Sequence, residues 1–406
     1  MKRISAGAAA ALLSAALLLP APARAVSADH AYVLDGVTGR VFFEKNAGER
    51  GLIASTTKIM TALVVCEQCN VLDRMRIPRE AVGIEGSSMY LKEGEVLTLQ
   101  ELLYGLMLSS GNDAAVALAI YCGGTVEGFA ELMNDKARNL GLADTHFENP
   151  NGLDAPGHYS TARDLAKLAA YAMENPIFRK TVSTRSVTVG QRHLTNHNKL
   201  LWRLEGADGV KTGFTKAAGR ILVSSASRMG RRVICVTMND PDDWNDHCAL
   251  LNRSFSDYQI CPVVVKGQCV GTLEVLGGEN SRVEVLAAED FSYALTPEET
   301  VRIALPGPGF VYAPAVEGAE AGFAYALISG KAVGKIPIVF GETVEQKPEE
   351  EKSFWQKWRS GKKQGDINEG AFAENSVCPG SCLPAKGGGA DSRGAGDRER
   401  GEGRAG

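Results

Sequence analysis

The chain opens its β pattern early. Ala31-Tyr32-Val33-Leu34 and Arg40-Val41-Phe42-Phe43 are two apolar, β-rich runs around Asp35-Gly36-Val37-Thr38-Gly39, which predicts a hairpin at the edge of a sheet. The pattern then turns helical. An apolar run from Ile59 to Val65 follows Ser55-Thr56-Thr57-Lys58 and predicts a buried helix that begins near Ser55. A polar stretch to about Glu95 reads as loops and short strands. Residues 97–108 carry Leu102, Leu103, Leu106 and Met107 on one helical face, with Leu99 near the start. Ser109-Ser110-Gly111-Asn112 closes that helix as a turn, and residues 114–121, 129–140 and 161–173 are further helices. From Gly206 the period changes again, to strands at 210–212, 220–225 and 232–238 joined by glycine turns. Strands at both ends with helices between them predict an α/β sandwich in which an antiparallel sheet is covered by helices and its first and last strands are neighbours.

Beyond residue 257 helical periodicity fades. Short strands at 263–265, 270–275, 282–286, 300–305 and 324–333 lie between Gly and Pro turns, which predicts a small all-β domain over 257–343 behind a larger α/β domain at 26–256. Residues 344–406 are charged and then rich in Gly, Arg and Glu, a composition that cannot bury enough apolar surface to fold. Within that tail, Phe354-Trp355-Gln356-Lys357-Trp358-Arg359 with Lys362-Lys363 has the chemistry of a peripheral membrane contact.

Composition narrows the classes. A net charge of −4 over 406 residues gives no basic field, so no nucleic-acid partner is expected. Residues 1–25 have the basic start, apolar middle and Ala23-Arg24-Ala25 end of a signal peptide, which predicts export. Nine cysteines in an exported chain permit disulfides, with at least one thiol left over in a monomer. Cys66-Glu67-Gln68-Cys69 has the spacing of a redox or metal pair, but no second pair or histidine cluster accompanies it, so a structural role is expected and no metal or other cofactor.

The candidate chemistry starts at Ser55 and Lys58. Three residues apart on a helix, they share one face, so the amine can reach the hydroxyl near the positive end of the helix dipole. Alone, S-x-x-K arises about once by chance in such a chain and would read as an N-cap with a solvated lysine. Two further motifs follow: Ser110-Gly111-Asn112 and Lys211-Thr212-Gly213. The wording around them extends through Phe43-Glu44-Lys45-Asn46-Ala47, Met107-Leu108-Ser109, Asp113-Ala114-Ala115, Gly209-Val210, Phe214-Thr215 and Ala218-Gly219. In these stretches the chain resembles the serine-type D-alanyl-D-alanine carboxypeptidases, the low-molecular-mass penicillin-binding proteins. The resemblance spans about residues 28–255 and continues more weakly to 340. Phe214 after the K-T-G and Ile221, where many relatives have Cys, depart from the pattern.

The resemblance implies the β-lactamase/transpeptidase-like fold and an acyl transfer at the cell wall. Its substrate would be a peptidoglycan stem peptide ending in D-Ala-D-Ala, and β-lactam antibiotics would be its inhibitors. Ser55 would be the nucleophile and Lys58 its base, with Ser110 relaying a proton to the leaving amine. Asn112 would bind the substrate amide, Lys211 and Thr212 the terminal carboxylate, and Gly213 would let the substrate backbone approach the strand. The backbone N–H groups of Ser55 and Phe214 would form the oxyanion hole. For Lys58 to act as base at neutrality its pKa must drop by roughly 3 from about 10.4, through burial and the Lys211 charge. Two alternatives stay open: a serine β-lactamase, with Glu148 and Asn151 in the interval where such enzymes place a water-activating glutamate, and a non-catalytic wall-binding protein.

Overall fold

The computed structural model describes residues 26–348; the expected signal peptide and the aromatic island of the tail lie outside them. Strands β1 (His30–Asp35) and β2 (Val41–Lys45) form the expected hairpin. A 3-10 turn, Ala54–Thr57, leads into helix α1 (Lys58–Gln68). The following polar stretch contains β3 (Arg74–Arg76), which pairs with β4 (Val96–Thr98). Helix α2 (Leu99–Leu108) starts where Thr98 and Glu101 cap each other reciprocally. Helices α3 (Asn112–Gly123), α4 (Val126–Asn139) and α5 (Ala162–Ala172) follow, the last capped by Thr161.

The next elements are short and escape a reading of the pattern: α6 (Pro176–Ser183), the hairpin β5 (Ser186–Val189) and β6 (Arg192–Thr195), and the single turn α7 (Leu200–Arg203). Strands β7 (Ala207–Thr215), β8 (Gly219–Arg228) and β9 (Arg231–Met238) come next, longer than expected. Helix α8 (Asp243–Asp257) completes the domain; its Asp-, Asn- and Ser-rich sequence hides a stripe that buries Leu250 and Leu251.

The five long strands pair in the order β2-β1-β9-β8-β7, all antiparallel, so the first and last strands are neighbours as expected, with Ala31 opposite Thr237. One face packs on the main core, which includes Ile59, Leu63, Leu103, Leu106, Phe129, Leu165 and Phe178. The other face, through Val33, Leu222 and Cys235, packs on Leu200, Leu250 and Leu251. Strand β7 lies at the sheet edge beside the Ala54–Thr57 turn. That edge is where the chemistry gathers.

The second domain is all β. Strands β10 (Gln259–Val264) and β13 (Phe291–Leu295) pair with each other. A six-stranded sheet has the order β14-β16-β17-β12-β11-β15, formed by β11 (Cys269–Leu276), β12 (Arg282–Ala287), β14 (Val301–Ala304), β15 (Phe310–Tyr312), β16 (Glu320–Ile328) and β17 (Lys331–Phe340). The single strand expected at 324–333 is thus a hairpin, because Ser329 and Gly330 both adopt positive φ and reverse the chain. Pairing also runs past residue 343. Val344 bridges Ala315 and is 1% exposed, and Lys347 N–H donates to Gly277 O at 2.8 Å.

Arg40, in the turn of the first hairpin, ties the domains together. Its guanidinium pairs with Glu299 at 2.6 Å, donates to Ala294 O, and lies over the rings of Tyr258 and Tyr293. Within the catalytic domain, Phe129 is fully buried at the centre of the helical layer. Phe129→Ala should cost about 3–5 kcal/mol of that domain's stability, read as a lower urea midpoint of the catalytic-domain transition.

Candidate active site

The nucleophile-bearing turn is built by contacts on both sides. Ala54 has φ +45, a conformation costly for a residue with a Cβ, and sits just before Ser55. Thr56 Oγ1 donates to Ile53 O at 2.5 Å and Thr57 Oγ1 to Ala54 O at 2.8 Å, which closes the turn. Lys58 is fully buried, yet its amine is satisfied: Nζ donates to Ser55 Oγ at 2.9 Å, Asn112 Oδ1 at 2.7 Å and Asn151 O at 2.6 Å. Three neutral acceptors hold the amine without compensating a charge. Burial, and then the Lys211 cation, push the Lys58 pKa well below the ordinary lysine value, with Asp113 opposing weakly. Once neutral, the amine keeps its two hydrogens on Asn112 Oδ1 and Asn151 O, and its lone pair, turned to Ser55 Oγ 2.9 Å away, can take the hydroxyl proton.

The S-x-N turn comes from the α2–α3 junction as expected. Ser110 has φ +59 and is nearly buried, with its hydroxyl facing the cleft. Asn112 starts α3, and its amide bridges Lys58 to Glu85 O, where Nδ2 donates at 2.6 Å. Asp113, which motif reading passes over, accepts from Ser88 Oγ at 2.6 Å and from the N–H groups of Met89 and Leu91 at 3.0 Å each. It fixes the 87–91 loop that forms one wall.

On β7, Lys211 is 1% exposed and its Nζ donates to Thr212 O at 2.8 Å. Burial lowers its pKa to about 7. Lys211 therefore lies under the cleft floor with Lys58 and Asn112. Thr212, Gly213 and Phe214 line the cleft itself, together with Ser55 and Ser110, in a volume of about 310 Å³. Gly213 serves a closer purpose than expected: a Cβ there would press on Ile53 O and Thr56 N at 3.2 and 3.3 Å, so glycine lets the strand approach the Ser55 turn.

A third wall, the 148–153 loop, supplies no motif but completes the site. Its Asn151 carbonyl receives the Lys58 amine, and Pro150 O accepts from Thr61 Oγ1 at 2.6 Å. His158 clamps the loop to the nucleophile turn. Its Nδ1 accepts from Glu148 N–H at 3.1 Å, so Nε2 carries the hydrogen and donates to Thr57 Oγ1 at 2.6 Å. Burial first, then His146 and Lys58, lower its pKa to about 4, which keeps it neutral. The Glu148 carboxylate faces His146 Nδ1 at 3.5 Å and does not line the cleft; Asn151 Oδ1 accepts from Leu153 N–H.

Cys66 and Cys69 do not pair. Cys69 bonds Cys122, joining the end of α1 to α3, while burial pushes the Cys66 thiol up to about 12. No group of three or more metal-capable side chains occurs among the described residues.

Comparison with known proteins follows the same outline. The family model "D-alanyl-D-alanine carboxypeptidase" matches residues 18–242, and "Penicillin-binding protein 5, C-terminal domain" matches 258–346. The chain is 32% identical over 335 residues to D-alanyl-D-alanine carboxypeptidase DacF of Bacillus subtilis, covering 79% of this chain and 86% of that one. It is 33% identical over 334 residues to D-alanyl-D-alanine carboxypeptidase DacC of Escherichia coli, covering 77% and 83%. Among solved structures, penicillin binding protein 5 from Haemophilus influenzae superposes with a TM-score of 0.70 at 28% identity, over 81% of this chain and 100% of that one.

Gly152 has φ +85, and a Cβ there would overlap the Ala54 carbonyl. Gly152→Ala should push the 148–153 loop off the nucleophile turn and withdraw the Asn151 carbonyl from Lys58. The expected result is a rate of Ser55 acylation by a fluorescent penicillin lowered by at least about tenfold with far-UV circular dichroism unchanged, since misplacement near 1 Å has effects of that order.

Proposed function

The chain belongs to the D-alanyl-D-alanine carboxypeptidase family and is a serine D-Ala-D-Ala carboxypeptidase, a penicillin-binding hydrolase of peptidoglycan stem peptides; from that premise we propose how its own residues run the reaction. The observation that carries the proposal is the fully buried Lys58 amine 2.9 Å from Ser55 Oγ, its pKa depressed by burial and by Lys211. Lys58 takes the Ser55 proton as Oγ bonds to the penultimate D-Ala carbonyl carbon. The oxyanion forms between the N–H groups of Ser55 and Phe214. Ser110 relays the proton now on Lys58 to the nitrogen of the terminal D-Ala, the C–N bond breaks, and an ester on Ser55 remains with Lys58 neutral again. Water, deprotonated by Lys58, then releases the shortened peptide. Asn112 holds both the Lys58 amine and a substrate amide.

The protein is proposed to act outside the cytoplasm. The signal-like residues 1–25 and the Cys69–Cys122 disulfide support this reading. The island at Phe354, Trp355 and Trp358, with Lys362 and Lys363, supports reversible contact with the membrane surface. Because the β domain pairs through Lys347, its test is deletion of residues 349–406. Vesicle binding should fall with the deletion; unchanged binding contradicts the contact.

The exposed, His146-facing Glu148 argues for slow deacylation of bulky adducts. A penicillin should leave a persistent adduct on the peptide containing Ser55, while D-Ala is released catalytically from a D-Ala-D-Ala peptide, and Ser55→Ala should abolish both. Rapid turnover of a chromogenic cephalosporin, lost in Glu148→Ala, would overturn this in favour of a lactamase. Removing the neighbouring cation should raise the Lys58 pKa, so Lys211→Ala should move the acidic limb of the kcat/KM profile to higher pH and lower the rate at neutrality. An unmoved limb with only a raised KM would refute the role of Lys211 as a depressor of that pKa.

A further inference from the structure

On the side of the sheet away from the cleft, two buried carboxylates share too few donors. Asp240, between β9 and α8, is fully buried, and its Oδ2 has no hydrogen-bond partner. Asp246, in the first turn of α8, is 3% exposed. Ser27 Oγ lies 2.6 Å from Asp240 Oδ1 and 2.8 Å from Asp246 Oδ2, and its single hydrogen cannot satisfy both. Two backbone N–H groups complete the set: Asp242 donates to Asp240 Oδ1 at 3.1 Å and Ser27 to Asp246 Oδ2 at 2.6 Å. Burial raises the Asp240 pKa, and the Asp246 charge adds to it. The two cations that line the cavity beside Asp246 are committed elsewhere. Lys45 donates to Val26 O and Ala28 O at 3.2 and 2.6 Å, and Arg253 pairs with Asp257 at 2.9 Å.

The start of the described chain meets these carboxylates. Val26 packs with Phe42 and Phe43 and lines the same cavity, of about 560 Å³. The Lys45 amine grips the carbonyls on either side of Ser27, which seats the segment. The Val26 nitrogen is one residue before Ser27 N, so it lies within about 6 Å of the Asp246 carboxylate. While Ala25 is attached, that nitrogen is an uncharged amide. Hydrolysis of the Ala25–Val26 bond by a leader-removing endopeptidase consumes one water and leaves a carboxylate on Ala25 and an ammonium on Val26, whose ordinary pKa is about 8.

From this placement, and resting on the export reading above, we propose that removal of residues 1–25 sets the α-ammonium of Val26 against the Asp240–Asp246 pair, so that processing supplies the cation this buried acidic site takes. An opposite charge at that range favours the ionised carboxylates. The pairing ties the segment before β1 to the β9–α8 junction, and leader removal thereby stabilises the catalytic domain as well as releasing it.

The test compares two chains at neutral pH: one cut from a fusion so that it begins with the free Val26 amine, and one lengthened there by a neutral Gly-Ser-Gly-Ser leader. The Val26-ended chain should melt about 3–8 °C higher. Asp246→Asn, whose amide oxygen can still accept from Ser27 N–H, should erase most of that difference, and Asp240→Asn should reduce it. Equal melting points in the two chains, or a difference that survives both substitutions, would overturn the pairing. Cells making the full chain report the processing separately. The exported protein should begin at Val26 by N-terminal mass; an uncut chain or another start would overturn the processing step, while the melting comparison still judges the pairing.

Discussion

Two lysine amines are buried beneath one cleft, and they cannot both be charged at low cost. Holding the Lys211 ammonium at a pKa of about 7 instead of 10.5 corresponds to a penalty on the order of 5 kcal/mol for its charged form. Burial and then the Lys211 charge depress Lys58 well below the ordinary lysine value as well. The surrounding architecture maintains that burial. The edge strand β7 presses on the Ser55 turn through Gly213, the S-x-N junction seats Asn112 over Lys58, and the 148–153 loop closes the third side. Near neutrality the pair therefore prefers to share one proton, which leaves one amine available as a base.

Each acceptor around Lys58 is neutral: a serine hydroxyl, an asparagine carbonyl and a backbone carbonyl. A carboxylate in any of these places would pull the pKa back up and switch the base off. Asp113 comes nearest to that role but is spent on the 87–91 loop, which it organises through three donors beyond its own helix. His158 is kept neutral in a similar way and adds no charge near Lys58 above pH 4. Structural and catalytic requirements thus converge on the same polar groups.

Much of this was legible in the sequence because side-chain chemistry carried it. Ser55, Ser110, Thr212, Gly213 and Phe214 line one cleft with Lys58 buried beneath it, and the first hairpin, the helices and the three late strands fall near their expected places. What escaped was chemistry carried by backbone or by unremarkable residues. The Asn151 carbonyl has no side-chain signature, the strained Ala54 gives no sign of its φ, and Arg220 becomes a cleft residue only through strand register. The depth of Lys211, beneath the floor of the cleft, is not carried by the sequence, since periodicity cannot tell a residue on the floor from one beneath it. The split of 324–333 into a hairpin depends on the two-residue turn Ser329-Gly330, a weak signal inside an apolar run.

The account stands on Lys58 being a neutral amine at the pH where the enzyme works. Nitrogen-15 lysine NMR of the intact protein, with the resonance assigned by Lys58→Met, measures this directly. The account predicts that the Lys58 ζ-nitrogen has the shift of a free amine at pH 8 and gains its proton only well below the ordinary lysine range. An ammonium shift that persists to pH 10 would contradict it.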